Sequence, residues 1–188
     1  MEKNTKQLIL AALMAAFTCV ATMIIKIPTP TFGYIHPGDG MVLLCGIVLG
    51  PFAGGLSAGI GSMFSDIFSG YLSWAPATFI IKALTACVMG FIFHGSKRKT
   101  SAYGNSISVI TGGLIGETIM VIGYFLYEAA LAAFASGGFT KASLYAGIVS
   151  SASGIPFNII QGIVGIVIAL ALLPVLLKIS NIRERILA

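Results

Sequence analysis

The sequence predicts an all-α integral membrane protein, a single compact bundle of six transmembrane helices spanning residues 1–188, with both termini cytoplasmic. Three observations predict it. Only 9% of residues are charged, 57% are hydrophobic and the mean hydropathy is +0.98, whereas about a quarter of the residues in a soluble domain are charged. The apolar residues fall into runs near the length a helix needs to cross the hydrocarbon core, about 20 residues. The basic residues are sorted between alternate loops.

The first run, 7–25, stops at Lys26-Ile27-Pro28-Thr29-Pro30, because proline cannot continue a helix. Lys3 and Lys6 precede it as in a signal peptide, but no small-residue cleavage site follows, so an uncleaved first helix is expected. The loop 26–40 carries Pro28, Pro30 and Pro37 together with Phe32, Tyr34 and His36. The second run, 41–49, is short and ends at Gly50-Pro51, so it fits a re-entrant or buried helix as well as a span. The third, 52–68, is rich in Gly and Ser; the fourth, 75–93, follows Tyr71 and Trp74. After Lys97-Arg98-Lys99 the fifth, 107–134, is long enough to tilt. A Gly/Ser-rich stretch, 135–154, reads as a loop before the sixth helix, 155–177.

With the termini inside, Lys3, Lys6, Lys97, Arg98, Lys99, Lys178, Arg183 and Arg185 are cytoplasmic, and only Lys26 and Lys141 lie in outer loops. That bias follows the rule that cytoplasmic loops are basic, and it explains the +5 net charge without nucleic acid as a partner. Cys19, Cys45 and Cys87 lie in apolar runs without metal-ligand spacing and read as small buried hydrophobes.

Six polar residues interrupt the spans: Asp66, Lys82, Glu117, Glu128, Asn158 and Gln161. Such groups are costly in a membrane and face a cavity or one another. The orientation above places nearly all of them toward the outer side, beneath the loops 26–40, 69–74 and 135–154. Gly54, Ala58, Ser62 and Asp66 recur every four residues on one helix face, where small residues admit a neighbouring helix. Lys82, with Thr78 one turn earlier, requires an accepting partner: Asp66, Glu117 or a ligand oxygen. Glu117, Tyr124 and Glu128 form a second stripe, and Asn158 with Gln161 a third. The first helix carries two alanine pairs four apart, Ala11/Ala15 and Ala12/Ala16.

Together these parts resemble the substrate-binding S component of an energy-coupling factor (ECF) vitamin transporter over essentially the whole chain. The stretches Gly38-Asp39-Gly40-Met41-Val42-Leu43-Leu44, Ser65-Asp66 and Ala75-Pro76-Ala77-Thr78-Phe79-Ile80-Ile81-Lys82 look most like the branch assigned to hydroxymethylpyrimidine or vitamin B6. The resemblance implies a protein of the bacterial cytoplasmic membrane that captures a vitamin at the outer face under the first loop. Its partners are then a transmembrane coupling subunit and two ATPases, and Ala11, Ala12, Ala15 and Ala16 match the docking motif for the coupling subunit. The chain has no Walker A sequence, so hydrolysis of ATP falls to the partners, and no cofactor or catalytic residue is expected.

The expected mechanism is capture without chemistry. Tyr34, His36 and Trp74 close over a planar ring, and Lys82, Glu117, Tyr124, Asn158 and Gln161 line the site and meet its edge. Asp66 reads best as structural, and Glu128 fits either role. Pyridoxine, hydroxymethylpyrimidine, riboflavin and pantothenate all suit mixed donors and acceptors. An intramembrane protease would need His beside an acid at membrane depth, but His36 is in a loop and His94 at a helix end. A proton-coupled carrier could use Asp66, Glu117 and Glu128, but such folds show internal repeats, and none is visible here.

Overall fold

Gly50 and Pro51 set the turn on which the bundle is built. The structure, a computed structural model, describes residues 2–31, 33–95 and 102–187; Phe32 and the basic run Lys97-Arg98-Lys99 lie outside the described residues. Helix α1 covers Glu2–Ile24 and is followed by a two-stranded ladder, β1 (Ile27–Pro28) with β2 (Tyr34–Ile35). Helix α2 (Asp39–Leu49) ends at Gly50, whose φ of 80° suits only glycine, and Pro51 opens α3 (Pro51–Phe68). Then come α4 (Ala75–Gly95), α5 (Ala102–Ala135), α6 (Lys141–Ser151), a 3₁₀ turn (Ala152–Gly154), α7 (Ile155–Leu176) and α8 (Ser180–Leu187).

Among the described residues, four stretches are long and apolar enough to cross a membrane: Asn4–Ile24, Ala75–Gly95, Asn105–Ala135 and Lys141–Leu176. The expected count of six differs because α2 and α3 do not qualify by themselves. With 11 residues α2 is only about 16 Å long. It is a buried helix at the centre of the bundle, touching α1, α3, α4, α7 and α8. Val42, Leu43, Cys45 and Ile47 on it are completely covered. Gly46 makes this possible, since a Cβ there would lie 2.2 Å from the Ala86 carbonyl oxygen of α4. Helix α3 turns its small-residue stripe inward, and Gly54, Ala58, Ser62 and Asp66 are all buried.

The stretch 135–154 was expected as a loop but contains α6. Gly137 and Gly138, both at positive φ, hide the helix from composition, yet Thr140 caps it in a reciprocal box with Ser143. Gly147 then lets α6 lie directly on the Ala129 carbonyl of α5. Large apolar side chains such as Leu8, Ile24, Phe52 and Val167 are exposed around the perimeter, as lipid contact requires.

One buried polar knot ties the elements together. Asp39, the first residue of α2, places Oδ1 2.5 Å from Lys82 Nζ on α4. Its Oδ2 accepts a hydrogen bond from Gln161 Nε2 on α7 at 2.7 Å, and Gln161 Oε1 accepts the His36 N–H at 3.0 Å. Lys82 was expected to pair with Asp66 or Glu117. It pairs with Asp39 because α2 packs on α4 with its first residue at the depth of Lys82, and the helix N-terminus also favours the carboxylate's charge.

Removing one partner of a fully buried pair strands the other. Lys82→Met is therefore expected to cost about 3–5 kcal/mol of stability, read as a lowered thermal midpoint in detergent, with Asp39→Asn in the same chain recovering part of the loss. An unchanged midpoint in the single variant would show that the pair does not hold α2 to α4.

Candidate functional site

The site forms where the first loop meets the C-terminal parts of α3 and α5 and the starts of α4 and α7. Pro28 and Pro30 keep the loop from continuing α1, and the β1–β2 ladder folds it back so that Tyr34 reaches the bundle. The Tyr34 hydroxyl donates to Asp66 Oδ1 at 2.8 Å, and its ring lies 4.8 Å from that of Tyr71. Two residues on, His36 is buried: Gly38 N–H donates to its Nδ1 at 3.1 Å, so the ring proton belongs on Nε2. The opposite wall is aromatic as well. Trp74 lies 6.3 Å from Tyr124, whose hydroxyl donates to Thr78 Oγ1 at 3.1 Å.

These groups line a cleft with about 400 Å³ of empty space including its mouth. Tyr34, Tyr71, Trp74 and Tyr124 supply aromatic faces; His36, Asp66, Glu128, Asn158 and Gln161 supply polar edges. The interior is narrow, with the first loop forming one of its walls. No three His, Cys, Asp or Glu residues among the described ones are grouped to hold a metal ion.

Of the expected ligand residues, Tyr34, His36, Trp74, Tyr124, Asn158 and Gln161 line the cleft, whereas Lys82 and Glu117 do not. Lys82 is sealed behind the wall by its bond to Asp39, with Nζ 5.2 Å from the centre of the Tyr124 ring. Glu117 faces α7 at Gly162 and Gly165, where an added Cβ would come within 2.9 Å of its Cβ and 3.3 Å of its Oε1. It borders a separate groove between α5 and α7. Asp66, expected as structural, stands in the cleft wall, and so does Glu128. Sequence reasoning missed Thr29 and Gly33, and it gave no role to Asp39, which two glycines disguise as a loop residue. Thr78 and Tyr71 carried a signal through their places beside Lys82 and Trp74.

On the opposite flank, the alanine pairs of α1 divide by exposure. Ala12 and Ala16 are exposed, whereas Ala11 and Ala15 are half-buried toward α3. The Ala15 carbonyl would lie 2.3 Å from a Cβ placed on Gly61. An apolar groove between α1 and α3 runs beside all four alanines.

The sequence matches the model of the ECF-type riboflavin transporter S component family over residues 2–178. A relative from Pyrococcus woesei, described as an uncharacterized protein in the gap 3′ region, is 35% identical over 158 residues, 84% of this chain and 97% of its own length. The solved S component of a bacterial ECF transporter superposes with a TM-score of 0.65 at 26% identity, covering 93% of this chain and 97% of the other. The S component for biotin from an ECF-type ABC transporter shares the fold, with a TM-score of 0.58 at 23% identity, covering 92% and 93% of the two chains. The chain therefore belongs to the ECF-type riboflavin transporter S component family, as a multi-pass protein of the bacterial cytoplasmic membrane that captures substrate for vitamin uptake and is not an enzyme.

Proposed function

We propose that this S component captures a vitamin or vitamin precursor built on a single planar heteroaromatic ring, vitamin B6 or hydroxymethylpyrimidine, at the outer face of the membrane. The carrying observation is the cleft itself, with four aromatic faces around a small volume and carboxyl and amide groups at the edges. Stacking supplies apolar contact at low entropic cost, and the few polar edges orient the ring. Riboflavin, which the family description names, is the second reading. Its tricyclic ring requires a larger opening than a single ring does. On this reading six helices traverse or fill the membrane, both termini are cytoplasmic, and the substrate is enclosed by Tyr34, His36, Trp74, Tyr124, Asn158 and Gln161. Lys82 and Glu117 support the wall from behind.

Capture requires the loop to open and close. Tyr34 to Asp66 and the His36 N–H to Gln161 are the bonds that hold it shut. A transmembrane coupling subunit and two ATPases then drive release, with the coupling subunit seated on the α1 alanines. Exposed Ala12 and Ala16 are the contact points. Ala11 and Ala15, half-buried, line the groove beside them.

Trp74 is the only tryptophan in the chain, and it lines the cleft. Titration with pyridoxine or hydroxymethylpyrimidine is expected to change its fluorescence, and mass spectrometry of the purified protein should find one of them bound. A response to riboflavin alone would replace the single-ring reading with the second one. Ala12→Leu together with Ala16→Leu is expected to abolish uptake in cells while leaving that fluorescence titration intact; persisting uptake would remove the α1 alanines from the docking surface.

Burial holds the His36 imidazole down to a pKa of about 3, against 6.5 when free; Lys82 and Lys26 lower it further and Asp39 opposes them. An opened loop releases the ring to water and binds the proton more readily. The closed state thus keeps its full stability above about pH 6.5 and loses it as pH falls from there toward 3. Ligand dissociation measured through Trp74 should quicken by up to about tenfold per pH unit below 6.5, and His36→Gln should flatten that dependence. A pH profile identical in the two proteins would show that His36 does not report loop opening.

A further inference from the structure

The cleft wall holds two buried carboxyls, each with one oxygen that has no hydrogen-bond partner. Asp66 on α3 is 5% exposed and Glu128 on α5 is 7% exposed. Asp66 Oδ1 takes the Tyr34 hydroxyl, but Oδ2 has no hydrogen-bond partner, and neither has Glu128 Oε2. Both residues line the cleft. A buried acceptor without a donor is a cost carried by the empty protein. Elsewhere the fold spends its donors on structure. Lys82 is bound to Asp39 behind the wall, and Lys26 donates to Ser69 Oγ and sits 5.4 Å from the centre of the Tyr34 ring, outside the lining. No salt bridge reaches Asp66 or Glu128 among the described residues.

We infer that Asp66 and Glu128 make the cleft select the unphosphorylated, hydrogen-bond-donating form of its ring-bearing substrate and reject phosphate esters of the same compound. This rests on the ring-binding reading above. A hydroxyl, amine or ring N–H arriving at either oxygen supplies the missing donor. A phosphate brings a further anion into a water-poor wall that already carries two carboxyls and has no lysine or arginine among its lining residues. Like charges set side by side on binding cost several kcal/mol, whereas the added donor improves affinity with no rearrangement of the wall. A phosphorylated form would therefore have to lose its phosphate by ester hydrolysis before capture.

The test is competition read through Trp74 in the full-length protein, with three pairs: pyridoxine and pyridoxine 5′-phosphate, hydroxymethylpyrimidine and its phosphate, riboflavin and riboflavin 5′-phosphate. For whichever parent compound binds, the ester is expected to bind at least about 100-fold more weakly. Asp66→Asn and Glu128→Gln should each narrow that ratio by about tenfold while weakening the parent. An ester within about threefold of a bound parent in the wild-type protein overturns this inference and leaves the ring-binding reading standing. Binding of riboflavin alone ends the single-ring reading, yet its ester still tests the selectivity. If none of the three parents binds, both readings fall. The wild-type comparison stands even where a variant fails to fold.

Discussion

The ion pair between Asp39 and Lys82 is the constraint around which the rest of the molecule is arranged. It joins the first residue of α2 to the middle of α4, with both side chains fully covered. Two opposite charges in a dry interior are tolerated only when their geometry is close and the remaining lone pairs are used. Gln161 meets that condition by donating to Asp39 Oδ2, and in doing so it fixes its own amide. Its oxygen is then aimed at the His36 backbone N–H. A single buried pair thus sets the position of α2, the orientation of a cleft residue on α7, and the anchorage of the first loop.

That chain of contacts explains why the cleft is assembled at one end of the bundle. The loop is held by a short ladder within itself, by Lys26 on Ser69 Oγ, by the Tyr34 hydroxyl on Asp66 and by the His36 N–H on Gln161. The last two end on residues that also border the cleft, so those two residues serve both the loop and the cleft wall. On the proposed function, capture and closure are coupled through these shared hydrogen-bonding groups rather than through a signal that travels along the bundle. The α1–α3 flank is independent of this knot. Its close approach depends on Gly61 against the Ala15 carbonyl, and its apolar surface faces outward.

Packing in this protein relies on small residues more than on area. Lipid tails are as apolar as leucine, so helices in a membrane gain little from excluding water and associate through close contact and polar bonds. Gly46 on α2 and Gly147 on α6 each lie where a Cβ would strike a neighbouring backbone carbonyl. The inward stripe of α3 follows the same logic and ends at Asp66, so the residue that closes the stripe also reaches the cleft.

The sequence by itself determined the environment and the polar inventory. Low charge and long apolar runs require a membrane, and polar residues in such runs require one another or a cavity. The spacing of Glu117, Tyr124 and Glu128 placed all three on the buried face of α5, since a helix repeats whatever its neighbours are. Helix α6 was not legible, because its glycine-rich entrance resembles a loop and its stability comes from a cap and from contact with α5. Nor was the partner of Lys82, because pairing across helices depends on rotation and depth, which no periodicity encodes. The tertiary structure alone decided that Asp39 takes that lysine, that Glu117 turns toward Gly162 and Gly165, and that Asp66 stands in the wall. The physical reason is range: helix faces follow from residues three or four apart, whereas Asp39 and Gln161 are 122 positions apart and meet only when the bundle closes.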